Sequence, residues 1–200
     1  MALLDIRGLR SDFGGPFDLQ IDRGECISIV GRSGAGKSVF LRLVADLDPG
    51  SGTVLLDERL RESWTAPQWR AQVIYQAAEP AWWADTVRAH FPAGSGERAA
   101  ALSTTLGIAP ALLDADVTRL STGERQRLAL VRSLAGSPRI VLLDEPSAAL
   151  DAESTRRMER LLGRCQDDGL AIVLVTHSIE QAHRLGRRHF EMIDHRLVAR

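Results

Sequence analysis

The sequence predicts an α/β fold built on a largely parallel sheet. Short, near-continuously apolar runs, typical of strands buried on both faces, recur along the chain. Between them lie segments in which apolar residues return every three or four positions, as on one face of a helix. Strands that alternate with helices in this way indicate a parallel sheet covered by helices. With 200 residues, 44% of them hydrophobic, the chain is long enough for one core with a small subdomain.

The elements follow from these patterns in order. Apolar runs predict strands at residues 3–7, 26–30, 72–75, 140–143 and 171–175. Helical periodicity predicts helices at residues 38–46, 122–135, 152–166 and 179–187. Residues 77–120 are rich in Ala, Leu, Trp and Pro and show no strand pattern, so we interpret them as a helical insertion.

Composition and charge exclude several classes of protein. The net charge of −1 gives no general attraction to phosphate backbones, so nucleic acid is not an expected partner. The apolar runs are far shorter than the ~20 residues of a membrane span, and the first ten residues do not resemble a secretory signal. We therefore expect a cytoplasmic location, with Cys26 and Cys165 as reduced thiols.

A phosphate-binding loop is the strongest motif. Gly31-Arg-Ser-Gly-Ala-Gly-Lys-Ser38 matches the pattern G-x-x-x-x-G-K-[ST] and lies between a predicted strand and a predicted helix, as its chemistry requires. The Lys37 ammonium would reach the β- and γ-phosphates, and the Ser38 hydroxyl would bind Mg²⁺. Lys37 is also the single lysine among 25 basic residues, which indicates a position where arginine does not fit. The alternative is a glycine-rich turn that binds nothing. The predicted nucleotide-binding residues of this segment are Gly31, Arg32, Ser33, Gly34, Ala35, Gly36, Lys37, Ser38 and Val39.

A second motif places two carboxylates at the end of an apolar strand. In the segment Ile140-Val-Leu-Leu-Asp-Glu-Pro146 the acids would emerge at the edge of the sheet where open α/β folds bind ligands. This Walker B arrangement predicts that Asp144 holds Mg²⁺ through water and that Glu145 polarises the water that attacks the γ-phosphate. The alternative is a solvated strand end that caps the next helix.

Together with a third motif, these segments resemble the nucleotide-binding domain of an ABC transporter. Leu120-Ser-Thr-Gly-Glu124 and the helix after it are similar to the family's signature sequence, LSGGQ, and stand just before Walker B. The resemblance implies that Ser121, Thr122, Gly123 and Glu124 contact the ATP of a second subunit. Thr122 and Glu124 depart from the usual Gly and Gln, and the negative charge of Glu124 predicts weaker closure on that ATP.

The resemblance also implies roles for single residues. Gln76 resembles the glutamine that contacts Mg²⁺ and links the core to the helical insertion, and Asp151 resembles the aspartate of the interface loop near the partner's site. His177 resembles the histidine that contacts the γ-phosphate. Phe13 is the predicted adenine-stacking aromatic, because Phe17 falls in the alternation Phe17, Leu19, Ile21 of a core strand.

For the whole chain, the resemblance implies a single domain over residues 1–200. A P-loop NTPase (RecA-like) parallel-sheet core would carry an amino-terminal antiparallel β-subdomain and an α-helical subdomain inserted at about residues 77–134. Catalysis of ATP hydrolysis by Glu145, His177 and Lys37, with Mg²⁺, would take place at a composite site in a homodimer or heterodimer. The dimer would power a separate transmembrane subunit from the cytoplasmic face of the membrane.

The motifs are also compatible with two other functions. One is a soluble ABC ATPase that acts on DNA or ribosomes, and another is a nucleotide-binding scaffold that does not hydrolyse ATP. The transported substrate and its direction of transport are not encoded in the motifs.

Two further patterns concern aromatic residues and histidines. Adjacent Trp82 and Trp83 cannot both face a helical core, so we expect at least one to line the groove that receives the membrane partner. Four histidines, His177, His183, His189 and His195, recur every six residues. That spacing fits neither one helical face nor the pairs of metal-binding helices, so we interpret it as coincidence.

Overall fold

The computed structural model describes residues 2–200, which form two sheets and six α-helices. The strands are β1 (Leu4–Ser11), β2 (Gly14–Ile21), β3 (Cys26–Val30), β4 (Ser51–Leu56), β5 (Arg59–Leu60), β6 (Val73–Gln76), β7 (Ile140–Asp144), β8 (Ala171–Val175), β9 (Arg188–Ile193) and β10 (Arg196–Ala199). The helices are α1 (Lys37–Val44), α2 (Ala66–Gln72), α3 (Gly96–Thr105), α4 (Thr122–Ala135), α5 (Ala152–Asp167) and α6 (Ile179–Leu185).

The central sheet has the strand order β10-β9-β3-β8-β7-β6. All neighbours from β9 to β6 are parallel, and β10 pairs antiparallel with β9. Every residue of β7 and β8 is buried, as expected for strands covered on both faces. The predicted α/β fold with a largely parallel sheet is therefore confirmed.

A smaller antiparallel sheet, in the order β2-β1-β4-β5, packs over α1. Along β2 the buried Phe17, Leu19 and Ile21 alternate with exposed residues, which is the period of a strand with one solvated face. The ring of Phe17 meets that of Phe40 on α1 edge to face, with centroids 4.9 Å apart. This contact joins the two sheets through one hydrophobic core.

The chain between β6 and β7 contains helices α3 and α4. It also contains three short 3₁₀ turns, Val87–His90, Pro110–Asp114 and Val117–Arg119. An isolated antiparallel bridge joins Thr86 to Asp116. Leu, Val and Ala side chains of α3 and α4 pack together against one face of β7 and β8, in a core cluster separate from that around α1. Helix α4 covers the residues that periodicity predicted, 122–135, because its capping box is encoded locally.

Several elements were not expected. The predicted helix 179–187 ends at Leu185, and residues 188–199 form the β9–β10 hairpin instead. Arg188, His189 and Glu191 interrupt the apolar pattern of β9, so its sequence did not indicate a strand. Residue 72 belongs to α2 rather than to the predicted strand, and β6 runs from Val73 to Gln76.

In residues 2–200, none of the helices combines the length and the apolar character that a bilayer-spanning helix requires.

Candidate functional site

The phosphate-binding loop connects β3 to α1 and is shaped by glycines. Gly31 and Gly36 have φ angles of 144° and 102°, in the region that L side chains rarely adopt. A Cβ at Gly31 would lie 2.7 Å from the carbonyl oxygen of Met192, so no larger residue fits there. Gly36 caps α1 without a side-chain acceptor, which leaves the first N–H groups of the helix free to bind an anion.

Lys37 lies across this loop and is 7% exposed. Its Nζ donates hydrogen bonds to the carbonyl oxygens of Gly31 at 2.7 Å and Arg32 at 3.0 Å. A compact ammonium satisfies both acceptors and keeps a third N–H for a phosphate oxygen, whereas a planar guanidinium would not fit under the same arch. The geometry agrees with the use of the chain's single lysine at this position.

Ser38 and Asp144 meet at the start of α1 and the end of β7. The Ser38 hydroxyl donates to Asp144 Oδ2 at 2.6 Å, although the residues are 106 positions apart. Tyr75 on β6 donates to the same oxygen at 3.2 Å. Burial raises the pKa of the Tyr75 hydroxyl well above its ordinary value, and the neighbouring Asp144 carboxylate raises it further. Tyr75 was not among the predicted site residues, because nothing in its local pattern distinguishes it from a core strand residue.

Glu145 and His177 face each other beyond the ends of β7 and β8. The backbone N–H of His177 donates to Glu145 Oε2 at 3.2 Å, and His177 Nε2 lies 3.2 Å from Oε1. Oε1 is buried and has no hydrogen-bond partner among residues 2–200. Burial raises the pKa of Glu145, while His177 and Lys37 act in the opposite direction. Glu145 also has a φ of 48°, in the left-handed region. Strained backbone conformations of this kind are common at functional sites.

These groups line one cavity of about 740 Å³. The predicted site residues in its wall are Phe13, Ser33, Gly34, Gly36, Lys37, Ser38, Val39, Asp144, Glu145 and His177. Wall residues that were not predicted are Ser11, Asp12, Gly14, Gly15, Ala78 and His195. The structure therefore brings together, around the start of α1, most of the predicted site residues. In the sequence they lie in four separate segments.

The two phenylalanines lie in different environments. Phe13, in the turn between β1 and β2, is 73% exposed and lines the cavity. Phe17 is 1% exposed and belongs to the core. The position of Phe13 is compatible with stacking on a base, and that of Phe17 is not.

Other predicted residues lie outside the cavity wall. Gly31, Arg32 and Ala35 shape the loop without lining it, and Asp151 caps α5 by accepting a hydrogen bond from the Ser154 N–H at 2.7 Å.

Gln76 is also absent from the cavity wall. It is 3% exposed, and its Oε1 accepts a hydrogen bond from the Ser133 hydroxyl on α4 at 3.2 Å. Its Nε2 is buried without a partner in the described chain. In this arrangement Gln76 connects β6 to α4.

The signature segment caps α4. The Ser121 hydroxyl accepts from the Glu124 N–H at 3.3 Å, and the Glu124 carboxylate accepts from the Ser121 N–H at 2.8 Å and from its hydroxyl at 2.7 Å. The Ser121 hydroxyl and N–H hold the pKa of Glu124 below its ordinary value. The carboxylate thus turns back onto its own helix start, and these hydrogen bonds orient it away from the purely extended position in which its charge would repel a partner's ATP most strongly.

The loop, the central sheet and the two carboxylates define a P-loop NTPase. An ABC transporter family model matches residues 15–148. The aliphatic sulfonates import ATP-binding protein SsuB of Rhodopseudomonas palustris (strain BisA53) is 35% identical, over 98% of this chain and 72% of its own length. SsuB 2 of Agrobacterium fabrum (strain C58) is 36% identical, over 94% of this chain and 74% of its own. This chain belongs to the ABC transporter family.

Solved structures agree on the fold. The ATP-binding cassette MJ0796, a dimer in a post-hydrolysis state bound to ADP and Pi, superposes with a TM-score of 0.84 at 23% identity, over 97% of this chain and 96% of its own. A bacterial Atm1-family ABC exporter with ATP bound gives a TM-score of 0.80 at 22% identity, over 98% of this chain and 38% of its own. Together with the family match and the SsuB relatives, this agreement confirms the predictions of an ABC nucleotide-binding domain and of an ATPase.

Proposed function

We propose that this chain hydrolyses ATP in the cavity around α1 and that hydrolysis drives import through separate transmembrane subunits. One observation carries the chemical part of the proposal. Lys37, Ser38, Asp144, Glu145 and His177 converge on one cavity at the start of α1. The direction of transport rests on the named relatives, which are import ATP-binding proteins.

In this mechanism α1 and the phosphate loop hold the triphosphate. The free N–H groups at the start of α1 donate to phosphate oxygens, and the helix dipole favours their negative charge. Lys37 keeps two hydrogen bonds to the loop and directs its remaining N–H to the β- and γ-phosphates. Because the ammonium is already buried and held, little reorganisation accompanies the build-up of charge in the transition state.

Ser38 and Asp144 are the proposed residues that would hold Mg²⁺. The hydroxyl and the carboxylate, 2.6 Å apart at the start of α1, offer the oxygen ligands that Mg²⁺ prefers. When bound, Mg²⁺ would supply electrostatic neutralisation of the phosphate oxygens. Tyr75 orients the Asp144 carboxylate by donating a hydrogen bond to Oδ2.

Glu145 is the proposed general base. Its Oε1 is buried 3.2 Å from His177 Nε2 and makes no hydrogen bond within residues 2–200, and the further lone pair of this carboxylate oxygen can accept a hydrogen bond from the attacking water. Burial makes the carboxylate more basic than an exposed glutamate. The His177 N–H holds Oε2 and thereby orients Oε1, and the His177 side chain would contact the γ-phosphate from the same flank.

A second subunit is proposed to complete the site. Residues Ser121 to Glu124 and Asp151 do not line the cavity of their own chain, which is consistent with action on the ATP of a partner. The start of α4 offers free N–H groups to that ATP, but the Glu124 carboxylate already lies at the same helix end. We infer that closure of the dimer must displace or tolerate this carboxylate.

The surface around Trp83 is the proposed docking site for the membrane subunit. Trp82 is half-buried and packs on the helical core, whereas Trp83 is 71% exposed. Both rings stack edge to face on His90, and the Arg132 guanidinium lies 4.7 and 5.2 Å from their centroids. The exposed ring of Trp83, held by His90 and Arg132, supports contact with an apolar helix of that subunit, and the helical subdomain at about 77–134 would transmit the movement. The chain would then act as a peripheral subunit at the cytoplasmic face.

The test of this proposal is phosphate release from Mg-ATP by the purified chain, compared with Lys37→Ala. Release by the wild type and its loss in Lys37→Ala would support hydrolysis in this cavity. Bound ATP without release would favour the scaffold function instead. Transport is then tested by purifying the chain from detergent-solubilised membranes, in parallel with Trp83→Ser, and asking whether a transmembrane permease subunit depends on Trp83 for retention.

A further inference from the structure

His195 stands at the tip of the β9–β10 hairpin. Ile193 pairs with Arg196, so the loop has two residues, Asp194 and His195, with φ angles of 45° and 60°. Two left-handed residues in a two-residue hairpin form a type I′ turn, whose second position favours glycine. The chain instead has histidine, with its large imidazole, at this position.

The imidazole lies in the wall of the nucleotide cavity. A Cβ placed on Gly36 would be 2.8 Å from its Nδ1, and a Cβ placed on Gly14 would be 3.4 Å from its Cβ. The Gly15 N–H donates to the carbonyl oxygen of His195 at 3.0 Å and fixes the hairpin against the turn between β1 and β2. Within residues 2–200 the ring itself makes no hydrogen bond, so its polar atoms are free for a ligand.

The order of the central sheet decides which part of a nucleotide the ring would meet. Strands β8 and β7 lie on one side of β3 and bring His177 and Glu145 to the γ-phosphate flank of the loop. Strands β9 and β10 lie on the other side of β3, next to the turn that carries Phe13. With the triphosphate at the start of α1, as proposed above, the nucleoside would extend toward His195 and Phe13, which line the cavity on the flank away from Glu145.

We propose that His195 binds the nucleoside part of ATP, by donating or accepting a hydrogen bond at the ribose hydroxyls or the base. With Phe13, it forms the nucleoside half of the cavity, and the phosphate loop forms the other half. This inference rests on the proposed function, since it assumes that ATP occupies the cavity with its phosphates at α1.

The experiment is equilibrium binding of Mg-ATP, Mg-ADP and inorganic tripolyphosphate to the wild type, His195→Gly and His183→Ala. Glycine suits the type I′ turn, so His195→Gly removes the ring and retains the hairpin, which a thermal melt checks. His183→Ala is the matched control, because His183 lies on α6 outside the cavity wall. We expect His195→Gly to raise the Kd values for ATP and ADP about three- to tenfold, as loss of one hydrogen bond would, without changing the Kd for tripolyphosphate.

Unchanged ATP and ADP affinity in His195→Gly would overturn the inference alone. Equal weakening of tripolyphosphate and ATP would also overturn it, because the ring would then act on the phosphates or on the fold of the loop. Failure of the wild type to bind ATP at all would instead refute the proposed function, so the two failures are distinguishable.

Discussion

Replacing Glu145 by glutamine tests the catalytic assignment most directly. Glutamine has the shape of glutamate and retains an oxygen that can accept the N–H of His177, so the position of the side chain should be preserved. The change removes the negative charge and the ability to take a proton. We therefore expect Glu145→Gln to bind ATP but to hydrolyse it slowly.

The magnitude follows from the environment of the carboxylate. General-base catalysis typically contributes about 10²- to 10⁴-fold, or about 3–5 kcal/mol of transition-state stabilisation. The position of Oε1, buried beside His177 Nε2 at 3.2 Å, and the raised pKa of Glu145 describe a base that is oriented and more basic than usual. We accordingly expect a loss of about 10³-fold or more in the rate of hydrolysis.

The same substitution should stabilise the nucleotide-free protein, by an amount that depends on pH. Burial raises the pKa of Glu145 in the folded state, so folding favours the protonated acid. The resulting stabilisation of the fold is complete below the pKa of Glu145 in the unfolded chain, near 4.5. It is lost as the pH rises through the folded value, since the ionised carboxylate is then buried. At pH 7.5, Glu145→Gln should therefore raise the free energy of unfolding by about 1 kcal/mol, and the difference should shrink toward pH 4.

The assay is single-turnover phosphate release from pre-bound ATP, together with denaturant unfolding at both pH values. Glu153→Gln is the control, because Glu153 is an exposed carboxylate paired with Arg157 on α5. A hydrolysis rate for Glu145→Gln within tenfold of the wild type would refute its role as general base. A stability difference that grew on acidification would refute the argument about its burial.

Three further substitutions test the rest of the site. Lys37→Arg keeps the charge but should lose at least about tenfold in ATP affinity, because a guanidinium does not fit under the loop; isothermal titration would measure this. Tyr75→Phe should lower the free energy of unfolding by about 0.5–1.5 kcal/mol through the lost bond to Asp144, as measured in urea. Glu124→Gln should strengthen ATP-dependent dimerisation of a hydrolysis-deficient background by around 1 kcal/mol at low salt, with Glu97→Gln on α3 as the control in sedimentation experiments.

Each of these expectations has a contrary result. Wild-type affinity in Lys37→Arg would contradict the packing argument, and unchanged stability in Tyr75→Phe would mean that water replaces its hydroxyl at no cost. Glutamine can keep the capping box of α4 but loses the charge that Ser121 stabilises, so monomer stability should fall slightly in Glu124→Gln at neutral pH while dimerisation rises. Equal or weaker dimerisation in that variant would show that the carboxylate, held by Ser121, makes a favourable contact with the nucleotide.

The sequence by itself determined the features whose causes are local. The phosphate loop is contiguous, so its glycines, Lys37 and Ser38 are recognisable from spacing alone. Strands β7 and β8 are buried on both faces and therefore appear as uninterrupted apolar runs. Helix α4 begins at its capping box, which four consecutive residues encode.

Tertiary structure alone decided the contacts between segments that are distant in the chain. The bond from Tyr75 to Asp144 depends on β6 lying beside β7, and the approach of His195 to Gly36 depends on β9 lying beside β3. Strand β9 was not predicted, because its charged residues interrupt the apolar pattern. Arg188 pairs with Glu25, which lies far away in the sequence, so no local period indicates that this charge can be accommodated in a strand. The order of strands in the sheet is set by packing between segments that are distant in the chain. The residues on the two flanks of the cavity are therefore determined by the tertiary structure and not by local sequence.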